Sequence, residues 1–84
     1  MWYGMCRFSL EPFKNIFGPF KTEEGAWNYI ENASNEEYNE DRAEYGIEST
    51  ITKDKEFGEI TIETVFSSGE IGTSLYCIFE IENS

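Results

Sequence analysis

The stretch that decides the fold runs from residue 22 to residue 45, TEEGAWNYIENASNEEYNEDRAEY. Thr22 has the chemistry of a helix N-cap, and Glu23 and Glu24 follow where the helix dipole favours negative charge. Ala26, Trp27, Ile30 and Ala33 recur at i, i+1, i+4 and i+7, the spacing of a core-facing stripe. At about 100° per residue, however, Glu36, Glu37, Glu40, Asp41 and Glu44 point over much of the same arc. One straight helix would carry acids inward beside its tryptophan. The reading therefore breaks the helix near Asn32-Ala33-Ser34-Asn35, where Ser34-Asn35-Glu36-Glu37 has the form of a capping box. It predicts one short helix at about 23–33 and a second at about 35–45, the second resting on Tyr38 and Tyr45.

Outward from this stretch the period changes from 3.6 to 2. Trp2, Gly4, Cys6, Phe8 and Leu10 share one face of an N-terminal strand. Residues 11–20 hold two prolines and a glycine, yet Phe13, Ile16, Phe17 and Phe20 are too apolar for a solvated loop. They predict a short edge strand around 14–18 and a turn at Gly18-Pro19. After Gly46, Ile47, Ser49 and Ile51 alternate with polar residues, and Ile60, Ile62, Thr64 and Phe66 oppose Glu59, Thr61, Glu63 and Val65. In the last strand Leu75, Cys77, Phe79 and Ile81 form the expected apolar face, opposite Tyr76, Ile78, Glu80 and Glu82. Turns are expected at Lys53 to Gly58 and at Ser67-Ser68-Gly69-Glu70. The order specifies an α+β domain, 1–84, with an antiparallel sheet of four to five strands and both helices on one face.

The chain has 84 residues, 17 acids, six bases and no histidine, for a net charge of −11. Absence of histidine excludes Ser-His-Asp and Cys-His nucleophile systems and His-ligated zinc. Charge is unevenly placed: residues 1–22 carry 3 − 1 = +2, residues 23–48 carry 1 − 9 = −8, and residues 49–84 carry 2 − 7 = −5. Such a surface repels nucleic acid and anionic membrane and favours basic partners. The N-terminal Met1-Trp2-Tyr3-Gly4-Met5-Cys6-Arg7 lacks a basic segment ahead of a sustained apolar run, so the expectation is no secretory signal and a cytoplasmic location. Cys6 and Cys77 could be bridged on neighbouring strands, but reduced, buried thiols are the expected state.

Several chemistries can be weighed on the residues. Paired carboxylates hydrolyse glycosides only when one is held protonated in an apolar cleft, and these acids occupy polar faces. Asn32, Ser34, Glu36 and Glu37 are oxygen donors without the glycine-containing loop of a calcium site, so no metal or other cofactor is expected. Neither phosphate-binding glycine motif occurs. What stands out is residues 36–44, with five acids and one arginine. They place about one net charge per 3.4 Å of helix, near the axial spacing of phosphates on one DNA strand. A merely solvated face would intersperse lysines, and none occurs between Lys21 and Lys53. Tyrosine beside carboxylates also suits recognition, offering contact area and a hydroxyl at modest entropic cost.

In this profile of shortness, acidity and aromatic content the chain resembles the small inhibitors that bacteriophages direct against host nucleic-acid enzymes: anti-CRISPR and anti-restriction proteins and the uracil-DNA glycosylase inhibitor. The resemblance implies a non-enzymatic, stoichiometric DNA mimic that occupies the basic nucleic-acid-binding surface of a bacterial effector, such as a CRISPR nuclease or complex, in the host cytoplasm. The residues expected to meet that partner are Glu36, Glu37, Tyr38, Glu40, Asp41, Glu44, Tyr45 and Glu48. An immunity protein neutralising a nuclease toxin is the alternative, since the same acidity would serve it.

Overall fold

The computed structural model describes residues 1–9, 14–45 and 48–82, with the side chains of Lys14 and residues 41–45 outside the description. Its elements are β1 (Trp2–Phe8), β2 (Lys14–Phe20), α1 (Glu23–Tyr45), β3 (Ser49–Asp54), β4 (Glu59–Val65) and β5 (Ile71–Glu80). The strands form one sheet in the order β2-β1-β5-β4-β3, with every neighbouring pair antiparallel. The class is α+β, as the alternating pattern requires. The first and last strands meet at the centre, so Gly4 lies opposite Ile78 and Cys6 opposite Tyr76.

The expectation of two short helices is corrected: residues 23–45 form one helix. Thr22 caps it as predicted, its Oγ1 accepting from the Gly25 N–H at 3.0 Å. Ser34 does not start a second helix. It is fully buried on the sheet side, and its hydroxyl donates back to the Glu31 carbonyl at 3.0 Å. A break here would have exposed about four unpaired N–H and four unpaired C=O groups. Continuing the helix instead turns the carboxylate of Glu37, among the described side chains, toward the sheet. The buried stripe runs on through Ala26, Trp27, Ile30, Ala33, Ser34 and Tyr38 at unbroken helical spacing.

Trp27 and Ile30 pack against Ile60, Ile62 and Tyr76, and Cys6, Ala33, Tyr38, Ile51 and Ile78 close around them. The helix comes close because β1 presents Gly4 there. A Cβ on that residue would stand 2.9 Å from Ile30 Cγ2.

Two strand expectations also change. β2 runs beyond the predicted turn to Phe20, because a shift of register between Trp2 and Gly4 absorbs one extra residue where the cis Gly18–Pro19 bond sits on the sheet edge. β5 turns its other face to the helix: Gly72, Ser74 and Tyr76 are buried, and Leu75, Cys77 and Phe79 lie on the far side of the sheet. On that face Tyr76 and Ile78 join the core under the helix, and Gly72 makes room for Phe66 and Phe8, a Cβ there standing 2.8 Å from Phe66 Cε2. The hairpin turns are as expected. Gly58 has φ +69°, a region costly to residues with a Cβ, and Gly69 has φ +88°.

Ile30→Ala is expected to lower unfolding free energy by about 2–5 kcal/mol. Gly58→Ala, whose Cβ would also stand 2.6 Å from Ile78 Cγ1, should cost at least about 1 kcal/mol. Urea denaturation measures both; unchanged midpoints would contradict this packing.

Candidate functional site

An unbroken helix sorts the predicted row of acids by direction. Glu36 and Glu40 are exposed, and Glu48, just ahead of β3, is exposed as well. Glu37 is not part of that outer surface: it is half-buried, and its Oε2 is fully enclosed. Tyr38 is half-buried against the core, where it supports the helix. The side chains of Asp41, Glu44 and Tyr45 lie outside the described residues, although their backbone is helical. The structure therefore brings Glu36 and Glu40 together on one exposed surface and withdraws Glu37 and Tyr38 from it.

Glu37 neighbours Tyr76 beneath the helix. Burial holds the Tyr76 phenol well above its ordinary value, and the neighbouring Glu37 carboxylate and Cys6 thiol raise it further through charge and hydrogen bonding. A phenol is the fitting neighbour for a carboxylate under a helix, because it donates one hydrogen bond and stays neutral. Cys6 belongs to this inner cluster, whereas Cys77 lies opposite Met5 on the other face of the sheet. The two cysteines sit on adjacent strands but point to opposite faces, which is why neither forms a disulfide.

Among the described residues, cations leave Glu23, Glu24, Glu36 and Glu40 of the helix unpaired. Among the described residues one ion pair forms, Lys53 Nζ to Glu31 Oε2 at 3.5 Å, and both side chains are about a third exposed. Such pairs contribute little to stability. Glu23, Glu24, Glu36 and Glu40 remain exposed on α1. No three acids or cysteines among the described residues converge as a metal site would require.

The sequence reading missed a second feature of the same helix. Asn28, Asn32, Asn35 and Asn39 follow at i, i+4, i+7 and i+11, the spacing of one face, and all but the partly covered Asn35 are exposed. They form an amide stripe directly opposite the core stripe, with Glu36 and Glu40 along its flank. Asparagine is a poor helix former, costing about half a kcal/mol against alanine at each exposed site. The signal was present in the spacing, but splitting the helix at residue 34 cut the stripe in two. Tyr29, among the tyrosines of which some are expected at the surface, lies on the same helix. It is 43% exposed and leans on Phe17 and Phe20 of β2, with ring centroids 5.0 and 5.3 Å away.

Comparison of the chain with family models, with curated proteins and with solved structures finds no match.

The Tyr76 environment has a measurable consequence. Its folded-state pKa is raised above the unfolded value of about 10, so the stability it contributes is complete below pH 10 and lost as pH rises above it. The loss should be about 1.4 kcal/mol per pH unit while the folded phenol stays protonated. Tyr76→Phe removes this increment from the slope. Denaturation of both proteins between about pH 9 and 11.5 checks it, and parallel slopes would show that the phenol is not held as described.

Proposed function

We propose that this protein is a non-enzymatic, stoichiometric inhibitor that lays the outer face of α1 on the basic nucleic-acid-binding surface of a bacterial effector, a CRISPR nuclease or complex being the favoured target. The observation that carries this reading is the continuity of the helix. Twenty-three residues extend about 34 Å, close to one turn of a DNA duplex. Over that length the sequence holds eight acids and one base. A row of carboxylates beside a row of amides offers a nucleic-acid-binding groove two things it already recognises. The acids meet arginine and lysine as phosphates do, and the amides supply paired donors and acceptors as base edges do.

The cost of this surface also supports a role in binding. Four asparagines along a helix face and several unneutralised acids on the same helix oppose its stability, and nothing in the interior requires them. The binding contact in this reading is made by Glu36 and Glu40, with Asp41, Glu44 and Glu48 extending it. Glu37, Tyr38 and Tyr45 orient the helix.

Glu36→Lys with Glu40→Lys should abolish inhibition and competition with DNA, leaving the circular dichroism spectrum unchanged; retained inhibition would reject this face. Asn32→Ala with Asn39→Ala should raise stability by about 1 kcal/mol while weakening inhibition. A gain in stability with no loss of binding would show the amides to be idle. Salt-insensitive, tight capture of a single nuclease toxin would move the protein to the immunity class.

A further inference from the structure

Helix α1 covers one face of the sheet, and the opposite face has an apolar centre with charged margins of opposite sign. Tyr3 and Met5 of β1 and Leu75, Cys77 and Phe79 of β5 lie on this face, all only half-buried. Tyr3 and Phe79 stack there with centroids 5.7 Å apart and planes 18° from parallel. On the β1 side the exposed Arg7 stands beside them, and β2 places Lys14 opposite Arg7 in the register. On the β4 side the exposed Glu59 and Glu63 lie on the same face, in register with Cys77 and Thr73.

We propose that this face is the interface of a two-fold homodimer in which the sheets of two copies pack against each other. The charge pattern selects a second copy as the occupant. An axis parallel to β5 lays β1 of one subunit over β4 of the other while keeping each row of the sheet level. Arg7 shares a row with Leu75 and Thr61. It therefore meets Thr61 of the partner subunit, with Glu59 of the partner subunit and Glu63 of the partner subunit each about 6.7 Å along the strand. The same contact repeats on the other side of the axis, and β5 packs on β5 at the centre. A purely basic partner would match the acids and be repelled by Arg7; a copy satisfies both margins at once.

Area and long-range charge are compatible with this. Five strands about 4.8 Å apart and about 23 Å long present roughly 550 Å² per copy, so the pair buries close to the roughly 1,200 Å² at which specific interfaces begin. The acidic helices lie on the outer surfaces, about 30 Å apart, well beyond the screening length of about 8 Å at physiological salt.

Sedimentation velocity on the full chain at about 100 μM, where even a dimer of about 10 μM dissociation constant is mostly associated, should give twice the monomer mass of 9.7 kDa. Arg7→Glu should yield monomer with an unchanged circular dichroism spectrum. Arg7→Glu combined with Glu59→Lys and Glu63→Lys in the same chain should restore the dimer. A monomer at that concentration overturns the proposal, as does a dimer indifferent to Arg7→Glu or a failure of the charge exchange to restore association.

Discussion

The contact between Glu37 and Tyr76 is the point on which the architecture turns. A helix crossing one sheet must keep a single face inward along its whole length, and the periodicity of α1 brings a carboxylate into that face. Two solutions exist for such a conflict. Breaking the helix would leave up to eight backbone groups to find new partners, each worth about 1 kcal/mol or more when left unsatisfied. Keeping it whole brings the carboxylate of Glu37 into a half-buried site beside the phenol of Tyr76 on the central strand. The second solution is the less costly, and the uninterrupted surface of α1 follows from it.

That solution divides the molecule into two unlike faces. Above the sheet, the helix sends its apolar stripe down onto Ile60, Ile62 and Tyr76 and its amides with Glu23, Glu24, Glu36 and Glu40 outward. Below the sheet, the aliphatic and aromatic residues of β5 that were expected in the core lie half-open beside β1. The protein thus carries an anionic, hydrogen-bonding surface on one side and an apolar surface with margins of opposite charge on the other. A chain of 84 residues cannot bury all its large side chains in one core. Placing them on a separate face keeps them away from the acidic helix and provides two surfaces of different chemistry.

Much of the fold was legible in the residues. Alternation at Ile60, Ile62 and Thr64 marked β4 and its inward face, and all three are buried. Thr22 marked the start of the helix, and glycines at 58 and 69 marked the hairpin turns. The errors came where two local signals competed. Ser34 followed by Glu37 has the form of a capping box, but a buried serine that bonds its own helix carries the same letters. In β5 both alternating sets contain apolar residues, so period alone could not decide which faced the helix. Of the candidate site, the acidity of the helix and the exposure of Glu36, Glu40 and Glu48 could be read beforehand, whereas the inward turn of Glu37 and the asparagine stripe could not.

What the amino-acid sequence alone determined was everything governed by near neighbours: strand periodicity, the helix cap, the turns, and a concentration of negative charge on one segment. What only the tertiary structure decided was which side each element shows to which neighbour. The fate of Glu37 depended on Tyr76, which is 39 positions distant in the chain (76 − 37) yet adjacent in space. Local propensities sum over a few residues, while the choice between breaking a helix and burying an acid is set by a partner that only the folded sheet brings into reach.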